Sequence, residues 1–304
     1  MIKIKKINYF QLILIVLILY IAYTTSDINN NSLDIQTNTQ NINNITVHFL
    51  DIGQADCILI QDPTGANMLI DAGNNQDSSY ILKYLHSLNI KKIDYLIATH
   101  PHEDHIGSMD DIVESFEIGT ILAPDVEYDS TSNKNLTNII EKKNYEISYA
   151  KSGMSYKFAN NNFYVLSPFN NKYEDINEYS LVIKLDFKDV SFLFMGDAEG
   201  DILNDIISSN VNLEADVLKV GHHGSSVSCP ESFISKVKPK IAVITVRENS
   251  YNYPHFTTIS TLKAFDVKAY QTASKGTIVI TSDGEKIQVN RSSFTNEYEN
   301  SLVK

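Results

Sequence analysis

The stretch Thr99-His100-Pro101-His102-Glu103-Asp104-His105-Ile106-Gly107 decides how the fold of this 304-residue chain is interpreted. Its H-x-H-x-D-H pattern places three imidazoles and one carboxylate within six positions. Imidazole nitrogens and carboxylate oxygens are the ligands that zinc, iron and manganese prefer at hydrolytic centres. The apolar run over residues 93–98 predicts a buried strand just before the histidines. The pattern therefore predicts a metal site in the loop at the end of a strand.

Two further predicted strands end in side chains of the same kind. The apolar run at 191–195 leads to Asp197, and the run at 216–220 leads to His222 and His223. Three such strand ends predict a binuclear site that several loops assemble. A closed structural zinc site more often has four ligands that include thiolates. The two cysteines form no Cys-x-x-Cys pattern and are predicted to be free.

At the level of these motifs the chain resembles the metallo-β-lactamase-fold superfamily, and more narrowly the hydrolase domain in the C-terminal part of ComEC competence proteins. The resemblance spans about residues 45–290. It implies an α/β fold, the four-layer αββα sandwich, which also fits the alternation of strand and helix signals in both halves of the chain. The blocks that carry the resemblance are residues 49–56 (FLDIGQAD), 68–73 (MLIDAG), 99–107 (THPHEDHIG), 195–199 (MGDAE) with 219–225 (KVGHHGS), and a weaker block at 249–255 (NSYNYPH).

Three positions depart from the pattern of the superfamily. Ala55 stands where a glycine is usual, which should only crowd a turn. Residues 164–168 stand where the superfamily has a separate third-motif histidine. That histidine is also usually absent from the ComEC branch. Its absence leaves the first metal ion with fewer protein ligands. Tyr253 occupies a position that is often histidine, which puts a role for its block in doubt.

The candidate ligands divide between two divalent ions, which we expect to be zinc, with manganese as the alternative. Alternation along an extended loop puts His100 and His102 on one side, where they can share the first ion. Asp104 and His105 then face the second ion, and Asp197 can give one oxygen to each. We expect Asp104 and Asp197 to be the residues most directly tied to catalysis.

The resemblance favours His222 over His223 as the last ligand of the second ion, with His223 placed beside it or facing the substrate. We expect Asp71, at the end of its strand, to orient a ligand histidine, as carboxylates behind metal sites do; a helix N-cap is the alternative for Asp71. His255 is a candidate for substrate contact.

Composition limits the kind of substrate surface that the chain can offer. The 25 Lys and Arg residues stand against 37 Asp and Glu residues, which gives a formal net charge of −12. A protein that grips nucleic acid over a wide surface needs a basic stripe. A small site that takes one phosphodiester remains open, because a metal pair supplies local positive charge.

The N-terminus has the pattern of a targeting segment. Lys3, Lys5 and Lys6 precede an apolar run at 9–23, which predicts a single hydrophobic helix that acts as a signal anchor or a signal peptide. An extracytoplasmic domain, membrane-anchored or secreted, follows from this. The expected organisation is a targeting segment at 1–26, a flexible polar tether at 27–44, the hydrolase domain at 45–290 and a polar tail at 291–304.

Hydrolysis of an ester-type bond is the activity that the motifs favour, because two ions about 3.5–4 Å apart activate a bridging water without a serine or cysteine nucleophile. A phosphodiesterase or nuclease is the leading hypothesis. A hydrolase of envelope phosphoesters or lactone-like molecules is the second, and a non-catalytic binding module that keeps the fold is the third. The expected partners are an ester-type substrate, with nucleic acid among the candidates, and the membrane; we expect no protein partner.

Overall fold

Two β-sheets form the centre of the fold in the computed structural model, which describes residues 43–170, 172–247, 251–274 and 276–291. The predicted N-terminal helix, the tether up to residue 42 and the tail from residue 292 lie outside these described residues. Within them, no helix is both long and apolar enough to cross a membrane.

Fifteen strands in the described residues make up the two sheets. They are β1 (Ile45–Phe49), β2 (Ile58–Gln61), β3 (Asn67–Ile70), β4 (Lys92–Ile97), β5 (Glu117–Ala123), β6 (Ile147–Tyr149), β7 (Ser155–Phe158), β8 (Asn161–Val165), β9 (Ile183–Phe187), β10 (Val190–Phe194), β11 (Val217–Lys219), β12 (Ile241–Ile244), β13 (Lys268–Gln271), β14 (Ile278–Ser282) and β15 (Ile287–Val289). The first sheet has the order β15-β14-β1-β2-β3-β4-β5-β6, and the second has the order β13-β12-β11-β10-β9-β8-β7.

Seven α-helices in the same residues flank the sheets. They are α1 (Ser78–Ser87), α2 (Glu103–Ile106), α3 (Met109–Ser115), α4 (Thr131–Lys142), α5 (Gly200–Ser208), α6 (Glu231–Val237) and α7 (Phe256–Ala264). Short 3₁₀ turns also occur, at Asn75–Asp77, Ile176–Tyr179, Gly221–Gly224 and Thr272–Ser274.

Helix α4 was not predicted from the sequence, because its segment is polar and rich in asparagine. Ser130 caps its first turn, since the Ser130 hydroxyl accepts a hydrogen bond of 3.1 Å from the Asn133 amide. Leu136 and Ile140, one turn apart, are buried. One capping side chain and one narrow apolar stripe are therefore enough for a helix here.

Three apolar clusters hold the layers together. The first fills the space between the sheets and includes Phe49 and Phe194, while the second lies between the first sheet and its helices and includes Leu85. The third packs the second sheet against α5, α6 and α7 through residues such as Leu193 and Phe233. Phe194 and Leu193 are neighbours in β10 that face opposite sides, as strand geometry requires. The result is the mixed α/β fold with two sheets that the sequence predicted.

Parallel pairing brings the predicted ligand segments to one end of the sheets. β3 and β4 are parallel, with Ile70 opposite Ile97, so the residues that follow them emerge side by side. β10 and β11 are also parallel, with Phe194 opposite Lys219. The segments at residues 71–73 and 98–105 therefore meet in the first sheet, and those at 195–199 and 220–225 meet in the second.

Candidate metal centre

The first two histidines of the motif form a pair. His100 Nε2 lies 3.0 Å from His102 Nδ1, a separation at which two imidazole nitrogens can face one ion. His100 is fully buried, and His102 is the residue before α2. Burial lowers the pKa of both imidazoles, with the positive charge of His105 acting in the same direction. Both rings are therefore held in the neutral form that metal ligation requires.

A hydrogen-bond chain fixes the tautomer of His100. The Thr99 hydroxyl donates to Asp71 Oδ2 over 2.7 Å, so its oxygen is left to accept from His100 Nδ1 at 3.2 Å. Nε2 of His100 then carries the lone pair. The arrangement is that of a ligand histidine whose second nitrogen is engaged behind the site.

Four other residues converge beside this pair. Asp104, His105, Asp197 and His223 each offer one atom, and these atoms all lie within 4.8 Å of one another. His105 Nε2 lies 3.3 Å from Asp197 Oδ2, and His223 Nε2 lies 3.3 Å from Asp104 Oδ2. The rings of His100 and His105, whose centroids are 4.1 Å apart, join the cluster to the pair.

The donor atoms of this cluster fit a divalent ion. His105 Nε2 and Asp197 Oδ1 are buried and have no hydrogen-bond partner among the described residues. Buried polar atoms without partners are costly in a folded protein unless something else binds them. Two imidazoles and two carboxylates are the donor types that zinc and manganese accept.

The local field favours positive charge. Although burial lowers the pKa of His105, the charges of Asp197, Asp104 and Asp71 raise it well above its usual range. Burial raises the pKa of Asp197, but the charges of His105 and His223 hold it well below its usual range. Carboxylates held ionised around imidazoles make a pocket that a divalent cation would neutralise.

Asp71 lies behind the cluster, in the place expected of an orienting carboxylate. Its Oδ2 accepts a hydrogen bond of 2.8 Å from His105 Nδ1, and its Oδ1 accepts one of 2.8 Å from the Thr99 amide. Both Asp71 and His105 are fully buried. His105 therefore presents Nε2 to Asp104 and Asp197, and Asp71 is not a helix cap.

The two histidines of the GHHG turn, His222 and His223, lie in other positions than the resemblance implied. His223 Nδ1 donates to the Thr245 carbonyl oxygen over 2.7 Å, which directs its Nε2 into the cluster. His222, which the resemblance favoured, has its Nδ1 2.8 Å from Glu199 Oε1 and is 23% exposed. Both Nε2 atoms lie 3.8 Å from Asp197 Oδ2. The structure thus places His223 in the four-residue cluster and His222 at its solvent side, on two consecutive left-handed residues.

Several of these residues adopt left-handed backbone conformations. Asp71 has φ 60°, and His222 and His223 have φ 41° and φ 50°. Such conformations cost about 1–3 kcal/mol each for residues other than glycine and are concentrated at functional sites. Gly196 is also left-handed at φ 53°, and a Cβ there would lie 2.9 Å from Thr99 Cβ, so the approach of the 195–199 loop to the motif requires glycine.

Beneath the cluster lies a buried ion pair that the sequence analysis did not assign. Lys219 Nζ lies 2.7 Å from Asp56 Oδ2, and both side chains are at most 1% exposed. Asp56 Oδ1 accepts a short hydrogen bond from the Thr245 hydroxyl and lies 3.7 Å from His223 Nδ1. The sequence signal for this pair is the charged Lys219 inside an apolar strand.

Glu199 was also left without a role. Its Oε2 accepts a hydrogen bond of 2.6 Å from the Ser225 hydroxyl, and its Oε1 faces His222. Burial lowers the pKa of His222, but Glu199 and Asp197 raise it above its usual value. Glu199 therefore ties the loop after β10 to the GHHG turn.

His255 lies at the start of α7, where its Nδ1 accepts a hydrogen bond of 3.3 Å from the Thr257 amide. Its backbone amide donates to the Gly224 carbonyl oxygen over 2.8 Å. His255 thus fastens the segment after residue 251 to the GHHG turn, and substrate contact by its ring stays a prediction.

Comparisons with known proteins agree with the fold and the motifs. Residues 50–153 match the model of the metallo-beta-lactamase superfamily. ComE operon protein 3 of Bacillus subtilis is 28% identical over 250 residues, which cover 76% of this chain and 32% of that protein. Recombination protein 2 of Haemophilus influenzae is 31% identical over 260 residues, which cover 83% of this chain and 31% of that protein. The chain thus spans about a third of the length of these curated relatives.

Among solved structures, the metallo-beta-lactamase fold protein YhfI from Bacillus subtilis superposes with a TM-score of 0.55 at 13% identity, over 79% of this chain and 100% of that one. At that identity the likeness concerns the fold alone. The resemblance to the metallo-β-lactamase fold and to the ComEC branch is therefore confirmed by the family match, the relatives and the fold together.

Proposed function

We propose that the chain, a metal-dependent hydrolase that matches the metallo-β-lactamase superfamily, is a binuclear phosphodiesterase. The observation that carries the proposal is the contact between two ligand groups at one edge of the sheets. The His100–His102 pair adjoins the cluster that contains His105 and Asp197. Two adjoining donor groups suit two ions better than one.

In this proposal His100 and His102 would hold one ion, and Asp104, His105 and His223 would hold the other. Asp197, whose Oδ1 has no hydrogen-bond partner in the described part of the chain, would be a ligand shared by the two. His223 takes the place first given to His222, because the Thr245 carbonyl oxygen fixes its Nδ1 proton and leaves Nε2 for the ion. Divalent ions held there would supply Lewis-acid chemistry, including a water of lowered pKa.

The residues around the ligands have supporting tasks. Asp71 holds the proton of His105 on Nδ1, and Thr99 does the same for His100. Glu199 lies beside His222 Nδ1, so the Nε2 atom of His222 is the one that can face a substrate. His222 is the more exposed histidine of its turn and therefore lies at the mouth of the site.

A phosphodiester suits this arrangement better than a lactone. A phosphodiester offers two non-bridging oxygens, one for each of the two groups of candidate ligands, whereas a lactone carbonyl offers one oxygen. The relatives named as a ComE operon protein and a recombination protein support a substrate related to nucleic acid. Against this, the chain has a net charge of −12 and only two arginines, which favours the second candidate, a hydrolase of small esters.

The test is a side-by-side panel on metal-loaded protein. Bis(p-nitrophenyl) phosphate, a single-stranded oligodeoxynucleotide and an acyl-homoserine lactone are offered to the wild type and to Asp197→Ala, and the bound metals are identified by elemental analysis. We expect kcat/KM to be highest for the phosphodiesters and to vanish in the variant. Ready opening of the lactone with every phosphodiester untouched would establish the second candidate instead.

We also propose, from the N-terminal sequence, that the domain lies outside the cytoplasm. The proposal is tested by fusing alkaline phosphatase, which is active only outside the cytoplasm, after residue 43. A matched fusion that lacks residues 1–26 is the control. Equal phosphatase activity in the two fusions would contradict the proposed location.

A further inference from the structure

Three aromatic rings lead from the metal centre to the solvent. The ring of His222 meets the ring of Tyr253 edge-on, with centroids 5.6 Å apart at 74°. Tyr253 stacks on Tyr251 with centroids 5.8 Å apart at 29°. Tyr251 is 66% exposed, so the series ends in a ring surface that faces the solvent.

The segment that carries these tyrosines is fixed to the GHHG turn. The His255 amide donates to the Gly224 carbonyl oxygen, and the Thr258 hydroxyl donates to the Ser225 carbonyl oxygen over 2.6 Å. A Cβ at Gly224 would lie 2.9 Å from Pro254 Cβ, which shows how closely the two segments pack. The rings are therefore held at a constant place relative to His222 and His223.

Two carboxylates near Tyr253 disfavour a polyanion beside its ring. Glu199 and Asp197 lie close enough to Tyr253 to raise the pKa of its phenol, after burial as the main cause. A phosphodiester chain that leaves the metal centre on this side needs a contact that does not depend on basic side chains. Stacking of a base on an aromatic ring is such a contact, and it tolerates any base because every base has a π-face.

We propose that Tyr251 and Tyr253 form a stacking subsite for the nucleobase next to the cleaved phosphodiester. The substrate class is then a nucleic acid or nucleotide ester with an unpaired base at that position. This inference rests on the proposed phosphodiesterase function. Tyr251 supplies the exposed ring, and Tyr253 lies between that ring and His222.

The experiment compares two oligomers with the same length and backbone charge. One is oligothymidylate, and the other is its abasic counterpart built from tetrahydrofuran units; both carry a 5′ fluorophore. The full chain in detergent, loaded with zinc or manganese, should show a higher kcat/KM on the oligomer that has bases. In Tyr251→Ala the ratio of the two kcat/KM values should fall about tenfold, the scale of one base–ring contact.

Two variants make the result specific. Tyr251→Phe keeps the ring and should keep the ratio. Phe265→Ala removes a 38% exposed aromatic ring at the far end of α7 and should also leave the ratio as in the wild type. A wild-type ratio near one, or an equal ratio in Tyr251→Ala and the wild type, overturns the inference.

Binding measured without hydrolysis separates this inference from the proposed function. Fluorescence anisotropy in EDTA should show weaker binding of oligothymidylate by Tyr251→Ala, while the wild type and Tyr251→Phe agree. Failure to cleave either oligomer, together with that binding difference, would count against the phosphodiesterase and leave the stacking subsite supported. Cleavage of both oligomers with equal binding by all variants would do the reverse.

Discussion

Asp197 Oδ2 lies within 3.8 Å of a ring nitrogen of three histidines, His105, His222 and His223. Loss of this side chain should disturb the second proposed ion directly and, because Asp197 is the ligand proposed to be shared, the first ion as well. We expect Asp197→Ala and His102→Ala each to abolish hydrolysis and reduce metal content while the far-UV circular dichroism stays native. Asp189→Ala, at an exposed turn, is the control. Near-normal turnover with normal metal content in either ligand variant would show that the assignment is wrong.

His48 lies away from the metal centre and gives a pH dependence of its own. Burial lowers the pKa of His48 to about 4, against the hydrogen bond with Gln61. Below pH 6.5 the unfolded chain takes up this proton while the folded protein does not. The stability that His48 contributes above pH 6.5 is therefore lost progressively as the pH falls toward 4, by about 1.4 kcal/mol per pH unit.

The measurement is urea unfolding of the wild type and His48→Gln in EDTA, from pH 7 to pH 4. Titrations that both proteins share cancel in the difference between their unfolding free energies. We expect the wild type to lose stability more steeply than the variant over this range. Parallel curves would show that His48 becomes protonated in the folded protein.

Strand ends explain which parts of the site could be predicted from the sequence. The ligand motif and Asp197 follow apolar strands, and parallel pairing brings such ends together in any fold of this class. The choice between His222 and His223 could not be made in this way. It depends on two consecutive left-handed residues in the turn, and no periodic pattern reports that conformation.

Contacts between elements that are distant in sequence could not be predicted from the sequence either. The Asp56–Lys219 pair joins the loop before β2, a strand of the first sheet, to β11 in the second sheet, and the two residues are far apart in the sequence. Helix α4 was missed because its capping residue and two buried aliphatic residues are scattered among asparagines. Local patterns predict elements, whereas long-range pairing appears only when the elements are packed.

Lys219 gives the prediction at the scale of elements. Lys219→Met leaves the Asp56 carboxylate buried without its counter-ion, which should lower the free energy of unfolding by about 3–5 kcal/mol. Chemical denaturation in EDTA measures the loss independently of metal binding. The double variant Lys219→Met/Asp56→Leu should recover much of it, because an apolar pair replaces the buried ions. Equal stability of the single variant and the wild type would show that Asp56 needs no counter-ion.

For the whole molecule, the main consequence is that the proposed ligands come from both sheets. His100 to His105 follow β4 in the first sheet, whereas Asp197 and His223 follow β10 and β11 in the second. Ions bound by these ligands would connect the two sheets, which also share the large apolar cluster between them. Metal binding should therefore be linked to the stability of the whole fold as well as to the local loops.

The last prediction follows from that linkage. A ligand at 100 times its Kd stabilises the native state by about 2.7 kcal/mol, which corresponds to about 5–10 °C in Tm for a domain of this size. We expect EDTA to lower the Tm of the wild type by this amount and added zinc or manganese to restore it. Asp197→Ala should show little response to either treatment, whereas Asp189→Ala should respond like the wild type. A wild-type Tm that is insensitive to metal while elemental analysis finds bound ions would mean that the ions do not link the two sheets.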